Sequence, residues 1–276
     1  MKRTTRQVLA RQTVAIVQDG HYIASSGCRI DIASAVAAAK AGTRIYDAPL
    51  PAIHALQSDQ PNARLTVTSE STFAALHRLK QAGHARIGCL NFASAKNPGG
   101  GFLNGAEAQE EALSRSSALY DCLLCAPTYY DRNRSHHSCL YLDLIIASPQ
   151  VPFFRDDGGE LLEEPMLATV ITAPAPNAGA VSRNEPDRIL EVEPTLRRRA
   201  TQVLHVAVDS GIECLVLGAW GCGVFRNDPR LVARTFAMLL QPGGAFATQF
   251  KEVVFAIFDP SGTGPNLHAF KDQFSS

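Results

Sequence analysis

In the stretch NPGGGFLNGAEAQEEALSRS (residues 97–116), three consecutive glycines run into an apolar-periodic segment that opens with Gln-Glu-Glu. The preceding segment, ARIGCLNF (85–92), has the composition of a buried strand. The order strand, glycine loop and helix brings bare backbone N–H groups and a helix N-terminus to one place. Because glycines lose the most backbone entropy on folding, the pattern indicates a loop that contacts a ligand through its backbone. On the residues alone, the two glutamates could equally complement the helix dipole.

A second unit of the same kind lies in CLVLGAWGCGVFRNDP, residues 214–229. Gly221 and Gly223 follow an apolar strand, and Asn227 or Asp228 is predicted to cap the next helix. Backbone amides in such a loop can converge on a diphosphate at the positive end of the helix. From the residues alone, an ordinary strand-to-helix turn with Phe225 in the core remains the alternative.

Composition limits the classes of protein and partner. The 276 residues are 46% hydrophobic, with 26 basic and 26 acidic side chains and a pI near 7.1, which argues against a broad basic face for duplex nucleic acid. The N-terminal residues 1–20 contain only brief apolar runs, so we expect no signal peptide, no membrane partner and a cytoplasmic location. Seven cysteines, an odd number, suit reduced thiols.

Alternating periodic segments predict an α/β layer fold with helices on both faces of the sheet. A hairpin turning at Asp157-Gly158 predicts some antiparallel pairing. Predicted helices cover residues 4–18, 30–42, 71–83, 106–120, 184–211 (interrupted near Pro194), 226–240 and 265–274. Predicted strands cover residues 64–69, 85–91, 139–148, 167–173, 214–220 and 251–259.

The triple glycine followed by Gln-Glu-Glu resembles the signature of the poly(ADP-ribose) glycohydrolases. The flanking segments LNFASAKNPGGGFLNG (90–105) and AQEEALSRSSALY (108–120) are similar to the bacterial-type branch of that family, and GAWGCGVFRNDP (218–229) is a second matching block. The resemblance implies a three-layer α/β/α macrodomain with a mixed central sheet over residues 61–276. It also implies an N-terminal helical extension, residues 1–60, packed on that core.

The resemblance further implies an activity, the hydrolysis of ribose–ribose O-glycosidic bonds of poly(ADP-ribose), mainly from chain ends, with release of ADP-ribose. Glu111 would be the general acid/base, and Glu110 would orient the adjoining ribose. Phe225 would press on the distal ribose and Phe258 would stack on adenine. No cofactor or metal is called for, and ADP-ribosylated proteins are the expected partners. The implied substrate contacts are Asn97, Gly99, Gly100, Gly101, Gln109, Gly221, Cys222, Gly223, Val224, Phe225 and Phe258.

The segment VTSEST (67–72) departs from the family pattern, in which related sequences often carry an aspartate at the position of Ser71. The contact to the adenine amino group is therefore unassigned, with Glu70 as a candidate. For Phe258, a place in the core is the alternative to stacking on a base.

Three other interpretations stay open. The first is an ADP-ribose-binding module without turnover, which should lack the carboxylate pair. The second is a hydrolase of mono-ADP-ribose on protein or nucleic acid. The third is a zinc protein that uses Cys122, Cys125, His136, His137 and Cys139. However, two leucines separate Cys122 from Cys125, which indicates the apolar end of a helix, and the two histidines lie in a polar segment typical of a solvated loop.

Overall fold

The computed structural model describes residues 1–47 and 61–274. Its helices are α1 Arg3–Asp19, α2 Ala33–Gly42, α3 Thr72–Gln81, α4 Gln109–Ser116, α5 Leu119–Leu124, α6 Pro127–Ser135, α7 Ala178–Asn184, α8 Val192–Asp209, α9 Pro229–Leu240 and α10 Pro265–Phe274, with short 3-10 helices at Phe102–Asn104 and Pro186–Glu191. Its strands are β1 His21–Ile23, β2 Arg29–Asp31, β3 Arg44–Tyr46, β4 Arg64–Thr68, β5 Ile87–Phe92, β6 Ile145–Arg155, β7 Leu161–Ala173, β8 Cys214–Leu217 and β9 Glu252–Ala256.

Seven strands form the central sheet in the order β3-β6-β7-β5-β8-β9-β4. The strands from β7 to β4 are parallel, whereas β6 runs antiparallel to β7 and β3 antiparallel to β6. The predicted mixed α/β sheet is therefore confirmed. Because the parallel strands share one carboxyl edge, the loops that follow β5, β7 and β8 meet there, which is where ligands bind in open α/β sheets.

Two hydrophobic clusters cover the two faces of the sheet. Side chains alternate between them along each strand, since successive Cβ atoms of a strand point to opposite faces. Cys89 and Val254 belong to the cluster beneath α1–α5, and their neighbours Leu90 and Phe255 belong to the cluster beneath α8–α10. Helices thus bury both faces of the sheet, as the layer fold requires. None of the described helices is long and apolar enough to cross a membrane.

The N-terminal segment packs on the first glycine loop. The guanidinium of Arg6, in α1, is buried and donates to Gly105 O at 2.8 Å and to Glu107 Oε2 at 2.5 Å. The hydroxyl of Thr13 donates to Arg115 O at 2.7 Å. The segment is not helical throughout, because β1 and β2 form a hairpin and β3 joins the central sheet. The expected boundary at residue 60 lies outside the described residues.

The helix predicted over residues 106–120 is instead two helices, α4 and α5. Ser117 between them is extended, with φ −150° and ψ 178°, and forms an antiparallel bridge with Phe153 of β6. Its hydroxyl donates to Leu113 O at 2.7 Å and accepts from Leu119 N at 3.1 Å. Serine competes for backbone groups in this way and thereby interrupts a helix whose apolar pattern is continuous.

Other differences lie mostly at element ends. The predicted strand 139–148 begins only at Ile145, and the predicted strands 214–220 and 251–259 end at Leu217 and Ala256. The predicted helix 30–42 begins at Ala33, after β2. The predicted break near Pro194 falls earlier, between Pro186–Glu191 and α8. Apolar residues in the loops next to the strands explain the overlong strands: Trp220, for example, is fully buried yet lies outside any strand.

Candidate active site

A cavity of about 780 Å³ opens at the carboxyl edge of the sheet, between the loops that follow β5 and β8. It brings together most residues that the sequence singled out, although the two loops are more than a hundred residues apart in the chain. The predicted residues that line it are Asn97, Gly100, Gly101, Gln109, Glu110, Glu111, Gly221, Gly223, Val224 and Phe225.

Gln109 fixes the start of α4 against the end of β5. Its Oε1 accepts from Phe92 N at 2.8 Å, and its Nε2 donates to Leu90 O at 2.7 Å and to Thr72 Oγ1 at 3.2 Å. Both ends of the amide are therefore engaged by the protein. These bonds hold the first turn of α4, and the two glutamates that follow, at a defined position in the cavity.

Glu110 is almost fully buried, and its two carboxyl oxygens are held by the protein. Oε2 accepts from Ser94 N at 2.7 Å, and Oε1 accepts from Asn91 Nδ2 at 3.3 Å. Burial is the main cause of a rise in the pKa of Glu110 to about 8, to which the charge of Glu111 adds and which the two hydrogen bonds oppose. Burial therefore favours the presence of one proton on this adjacent pair of carboxyl groups.

Glu111 is also buried, but only one of its carboxyl oxygens has a partner. Oε1 accepts from Gly101 N at 2.8 Å, whereas Oε2 is buried and makes no hydrogen bond within residues 1–47 and 61–274. Buried polar atoms are rarely left unpaired, so such an atom at a cavity is a candidate for interaction with a ligand. The loop thus anchors the carboxyl group through one oxygen and leaves the other oxygen without a partner.

Gly100 allows the glycine loop to approach both carboxyl groups. Its φ is +59°, and a Cβ there would collide with Glu111 Oε1 and lie 3.1 Å from Glu110 Oε2. No side chain fits this position without displacing the pair. The neighbouring Gly99 (φ +64°) is buried, and a Cβ on it would lie 3.0 Å from Tyr120 Cδ2. Gly99 therefore shapes the loop from beneath, and its predicted substrate contact stays a prediction.

The second loop is tied to the loop that follows β7. Asn227 Nδ2 donates to Pro176 O at 2.9 Å and to Gly221 O at 3.1 Å. Gly221 has φ +74°, and a Cβ there would lie 2.5 Å from Ala175 Cβ, so only glycine fits. The predicted cap at the start of α9 is Asp228, which accepts from Arg230 N at 2.9 Å.

Cys222 lies in this second loop, yet it does not have the character of a nucleophile. Burial raises the pKa of its thiol to about 12, and Sγ lies 3.8 Å from Trp220 O. The side chain packs against the hydrophobic cluster beneath α8–α10. A thiol is reactive only as the thiolate, so Cys222 is a packing residue of the loop. Its predicted contact with substrate stays a prediction.

Phe225 is half-buried at the cavity wall, and Val224 beside it is 85% exposed. The Phe225 ring packs against Tyr141, with ring centroids 5.8 Å apart and an interplanar angle of 45°. Tyr141 lines the same cavity, and its φ of +60° is unusual for a non-glycine residue. Sequence reasoning missed Tyr141 because nothing in the pattern of residues 139–148 distinguishes it from a strand residue.

A second pocket of about 390 Å³ adjoins the cavity, and Phe92, Ala108, Gln109 and Ala219 line both. Phe258 lies on its wall and is 71% exposed, so the alternative that Phe258 belongs to the core is wrong.

The hairpin between β6 and β7 supplies a carboxyl group to this pocket. Asp157 Oδ2 accepts from Ser71 Oγ at 2.5 Å, and Ser71 caps α3 by accepting from Ala74 N. Burial raises the pKa of Asp157. Glu70, the candidate from sequence, is paired instead with Arg78 at 2.7 Å. Asp157 is distant from Ser71 in the chain, so only the folded structure reveals the pair.

Cys122 and Cys125, considered above as zinc ligands, lie instead at the apolar end of a helix. Cys122 is buried in α5, and Cys125 caps its C-terminus and is exposed. His136 and His137 follow α6. Within residues 1–47 and 61–274, no group of three or more histidine, cysteine or acidic side chains is arranged to hold a metal ion.

A family model and several solved structures that resemble this chain all belong to one family of enzymes. Residues 10–156 match the family model for the catalytic domain of microbial-type poly(ADP-ribose) glycohydrolase (PARG). The solved structure of PARG from Thermomonospora curvata is 46% identical, with a TM-score of 0.92 over 98% of this chain and 100% of that chain. A structure of PARG from that organism bound to the inhibitor ADP-HPD is 47% identical, with a TM-score of 0.90 over the same shares.

PARG from Deinococcus radiodurans, solved in complex with ADP-ribose, is 50% identical, with a TM-score of 0.80 over 86% of this chain and 96% of that chain. A comparison with curated protein sequences gave no match. The similarity to solved structures thus extends over both glycine loops and the whole central sheet.

Proposed function

The chain belongs to the microbial-type poly(ADP-ribose) glycohydrolase family, and on this premise we propose that it hydrolyses the ribose–ribose O-glycosidic bonds of poly(ADP-ribose), mainly from chain ends. The observation that carries the proposal is the carboxyl group of Glu111. One of its oxygens is anchored by Gly101 N–H, the other is buried without a partner, and the residue lines the cavity. That arrangement suits a group that exchanges a proton with substrate.

The substrate lies across the two glycine loops. Its terminal diphosphate is bound by the backbone of the loop at Gly221 and Gly223, next to the N-terminus of α9. The distal ribose lies between the first loop, with Asn97, and the ring of Phe225. Relatives bound to ADP-ribose and to ADP-HPD support this class of ligand.

In the reaction, Glu111 donates a proton to the leaving 2′-oxygen while positive charge develops on the distal ribose. The resulting Glu111 carboxylate then takes a proton from the attacking water, so that both the proton and the carboxyl group are restored. Glu110 binds hydroxyl groups of the adjoining ribose. The different partners of the two carboxyl groups support this division of roles, because both oxygens of Glu110 are held by the protein whereas Glu111 keeps one oxygen unpaired.

The second pocket receives the adenine ring. Phe258 offers an exposed aromatic face for stacking. Asp157, held by Ser71, accepts a hydrogen bond from the exocyclic amino group. This assignment takes the place of the Glu70 candidate, whose carboxylate is engaged by Arg78.

The direct test is incubation of the protein with labelled poly(ADP-ribose), in the presence of a metal chelator, followed by separation of the products. We expect ADP-ribose to be the main product from the first time points onward. Short oligomers as the main early product would contradict cleavage from chain ends. Binding of ADP-ribose without any turnover would contradict hydrolysis and favour a binding module. Proteins carrying poly-ADP-ribose and mono-ADP-ribose, assayed in parallel, separate this activity from that of a mono-ADP-ribosyl hydrolase.

A further inference from the structure

Tyr141 has a backbone conformation that tyrosine rarely adopts. Its φ is +60°, in the left-handed region where a side chain meets the neighbouring carbonyl group. Such a conformation is unfavourable for tyrosine and persists only where the surroundings stabilise it. Its position on the wall of the catalytic cavity makes it a candidate for a role in function.

A buried guanidinium holds the carbonyl groups of this loop. Arg199 of α8 is fully buried, and its Nη2 donates to Leu140 O at 3.0 Å and to Tyr141 O at 3.2 Å. Its Nη1 donates to Pro174 O at 2.8 Å, and its Nε donates to Asp143 Oδ1 at 2.9 Å. One side chain thus joins the loop before β6 to the loop after β7. Burying a guanidinium has a large desolvation penalty, which suggests that the exact conformation of this loop matters for more than connecting two elements.

Asn133 and Glu185 hold the same loop from both sides of Tyr141. Asn133 Oδ1 accepts from Leu142 N at 3.0 Å, and Glu185 Oε1 accepts from Cys139 N at 2.6 Å. Both acceptors come from other elements of the chain. The backbone around Tyr141 is therefore held on each side, so the direction in which its side chain leaves the backbone is fixed.

The result of this conformation is a ring placed against Phe225. The Tyr141 ring lies 5.8 Å from the Phe225 ring, and its hydroxyl lies 3.4 Å from Asn177 Nδ2. The backbone of Phe225 is held separately, since its carbonyl oxygen accepts from Gly179 N at 2.9 Å. The Tyr141 ring therefore supports the side chain of Phe225, whose backbone is already anchored.

We propose that Tyr141 is a positioning residue that holds the Phe225 ring against the distal ribose, in the geometry that the reaction requires. This inference rests on the proposed function, because it assumes that Phe225 contacts the ribose. The ring of Tyr141 carries the role, and its hydroxyl contributes little, since its hydrogen bond to Asn177 is long.

The test compares Tyr141→Asn with Tyr141→Phe. Asparagine tolerates the left-handed conformation but lacks the ring, whereas phenylalanine keeps the ring and lacks the hydroxyl. For Tyr141→Asn we expect kcat on polymer to fall by on the order of tenfold to a hundredfold. The Kd for ADP-ribose should change by less than about threefold, because the diphosphate and base contacts remain. Tyr141→Phe should keep near-normal kcat.

A double variant shows whether Tyr141 acts through Phe225. If it does, Tyr141→Asn combined with Phe225→Ala has nearly the same kcat as Phe225→Ala alone. If the fold-losses in kcat of the two single variants multiplied in the double variant, the inference would be overturned. A normal kcat in Tyr141→Asn would also overturn it. Should Tyr141→Asn fail to fold, Tyr141→Gly, which also tolerates this backbone conformation and lacks the ring, provides the same comparison alone and combined with Phe225→Ala. A parent protein that releases no ADP-ribose from polymer would instead overturn the proposed function, and this inference with it.

Discussion

Glu110 and Glu111 are neighbours in the chain, yet the fold gives their carboxyl groups different surroundings. Glu110 accepts from Ser94 and Asn91, whereas Glu111 accepts from Gly101 and keeps one oxygen unpaired. The difference arises because successive residues in the first turn of a helix point in different directions. These different surroundings suit the two roles that we propose, orientation of a ribose for Glu110 and proton transfer for Glu111.

The raised pKa of Glu110 predicts a pH-dependent stability. The folded protein holds this proton up to about pH 8, whereas the unfolded chain loses it near 4.5. Between these values only the folded state binds the proton, so the free energy of unfolding falls as pH rises through this window, by about 1.4 kcal/mol per unit of pKa difference at most. Glu110→Gln has no such proton and should gain stability relative to the parent as pH rises.

Denaturant unfolding of both proteins at about pH 5 and about pH 8 measures this difference. A stability difference that stays constant between the two pH values would contradict the raised pKa. Glu164→Gln, at an exposed position on β7, is the matched control and should show no such trend.

Asp157 predicts selectivity for the base. Asp157→Asn should weaken ADP-ribose binding by on the order of tenfold, because a charged acceptor is replaced by a neutral amide. An analogue with hypoxanthine in place of adenine lacks the amino group, so Asp157→Asn should weaken the binding of this analogue much less. Calorimetry with both ligands measures the two effects. Asp156→Asn, at the adjacent residue of the hairpin, is the control. If Asp157→Asn lowered the affinity for both ligands equally, Asp157 would not recognise the amino group.

At the scale of elements, α1 stabilises the first glycine loop through a side chain. The Arg6 guanidinium donates to Gly105 O, at the end of the loop that holds Glu111. Arg6→Ala removes these bonds and should lower both the melting temperature and kcat, while Arg11→Ala, at an exposed position on the same helix, should lower neither. We expect the free energy of unfolding of Arg6→Ala to fall by roughly 1–3 kcal/mol, because buried polar groups are left unpaired. Unchanged kcat in a destabilised Arg6→Ala protein would show that α1 only contributes stability.

The elements also show what a sequence can predict. The ends of α3 and α9 were predictable because their caps, Ser71 and Asp228, are local signals. The break at Ser117 was not, since it depends on pairing with Phe153 of a distant strand. The predicted strands are too long for a related reason: an apolar residue in a buried loop cannot be distinguished by sequence from an apolar residue in a strand.

At the scale of the whole molecule, the two glycine loops and the carboxylate pair were predictable because their residues are contiguous in the chain. Tyr141, Asp157 and Arg199 were not, because their roles depend on contacts between residues far apart in sequence and, for Tyr141, on a backbone angle. To the predicted residues we assign binding and reaction, and to the residues that were missed we assign the positioning of others. Family resemblance identified the first group, and geometry was needed for the second.

Several elements of the molecule meet around Glu111, to which we assign the proton transfer. The first glycine loop anchors its carboxyl group, Gln109 ties the start of α4 to the end of β5, and the second loop lines the same cavity. The central claim is therefore that turnover, and not binding, depends on the unpaired oxygen of Glu111.

Glu111→Gln tests this claim most directly, because glutamine keeps the shape of the side chain and has no ionisable proton. We measure the rate of ADP-ribose release from saturating poly(ADP-ribose), the Kd for ADP-ribose and the melting temperature, with Glu164→Gln as the control. The rate should fall by on the order of a hundredfold to ten-thousandfold, while the Kd changes little and the melting temperature holds or rises slightly. A near-normal rate in Glu111→Gln, or equal losses of binding and turnover, would contradict the account.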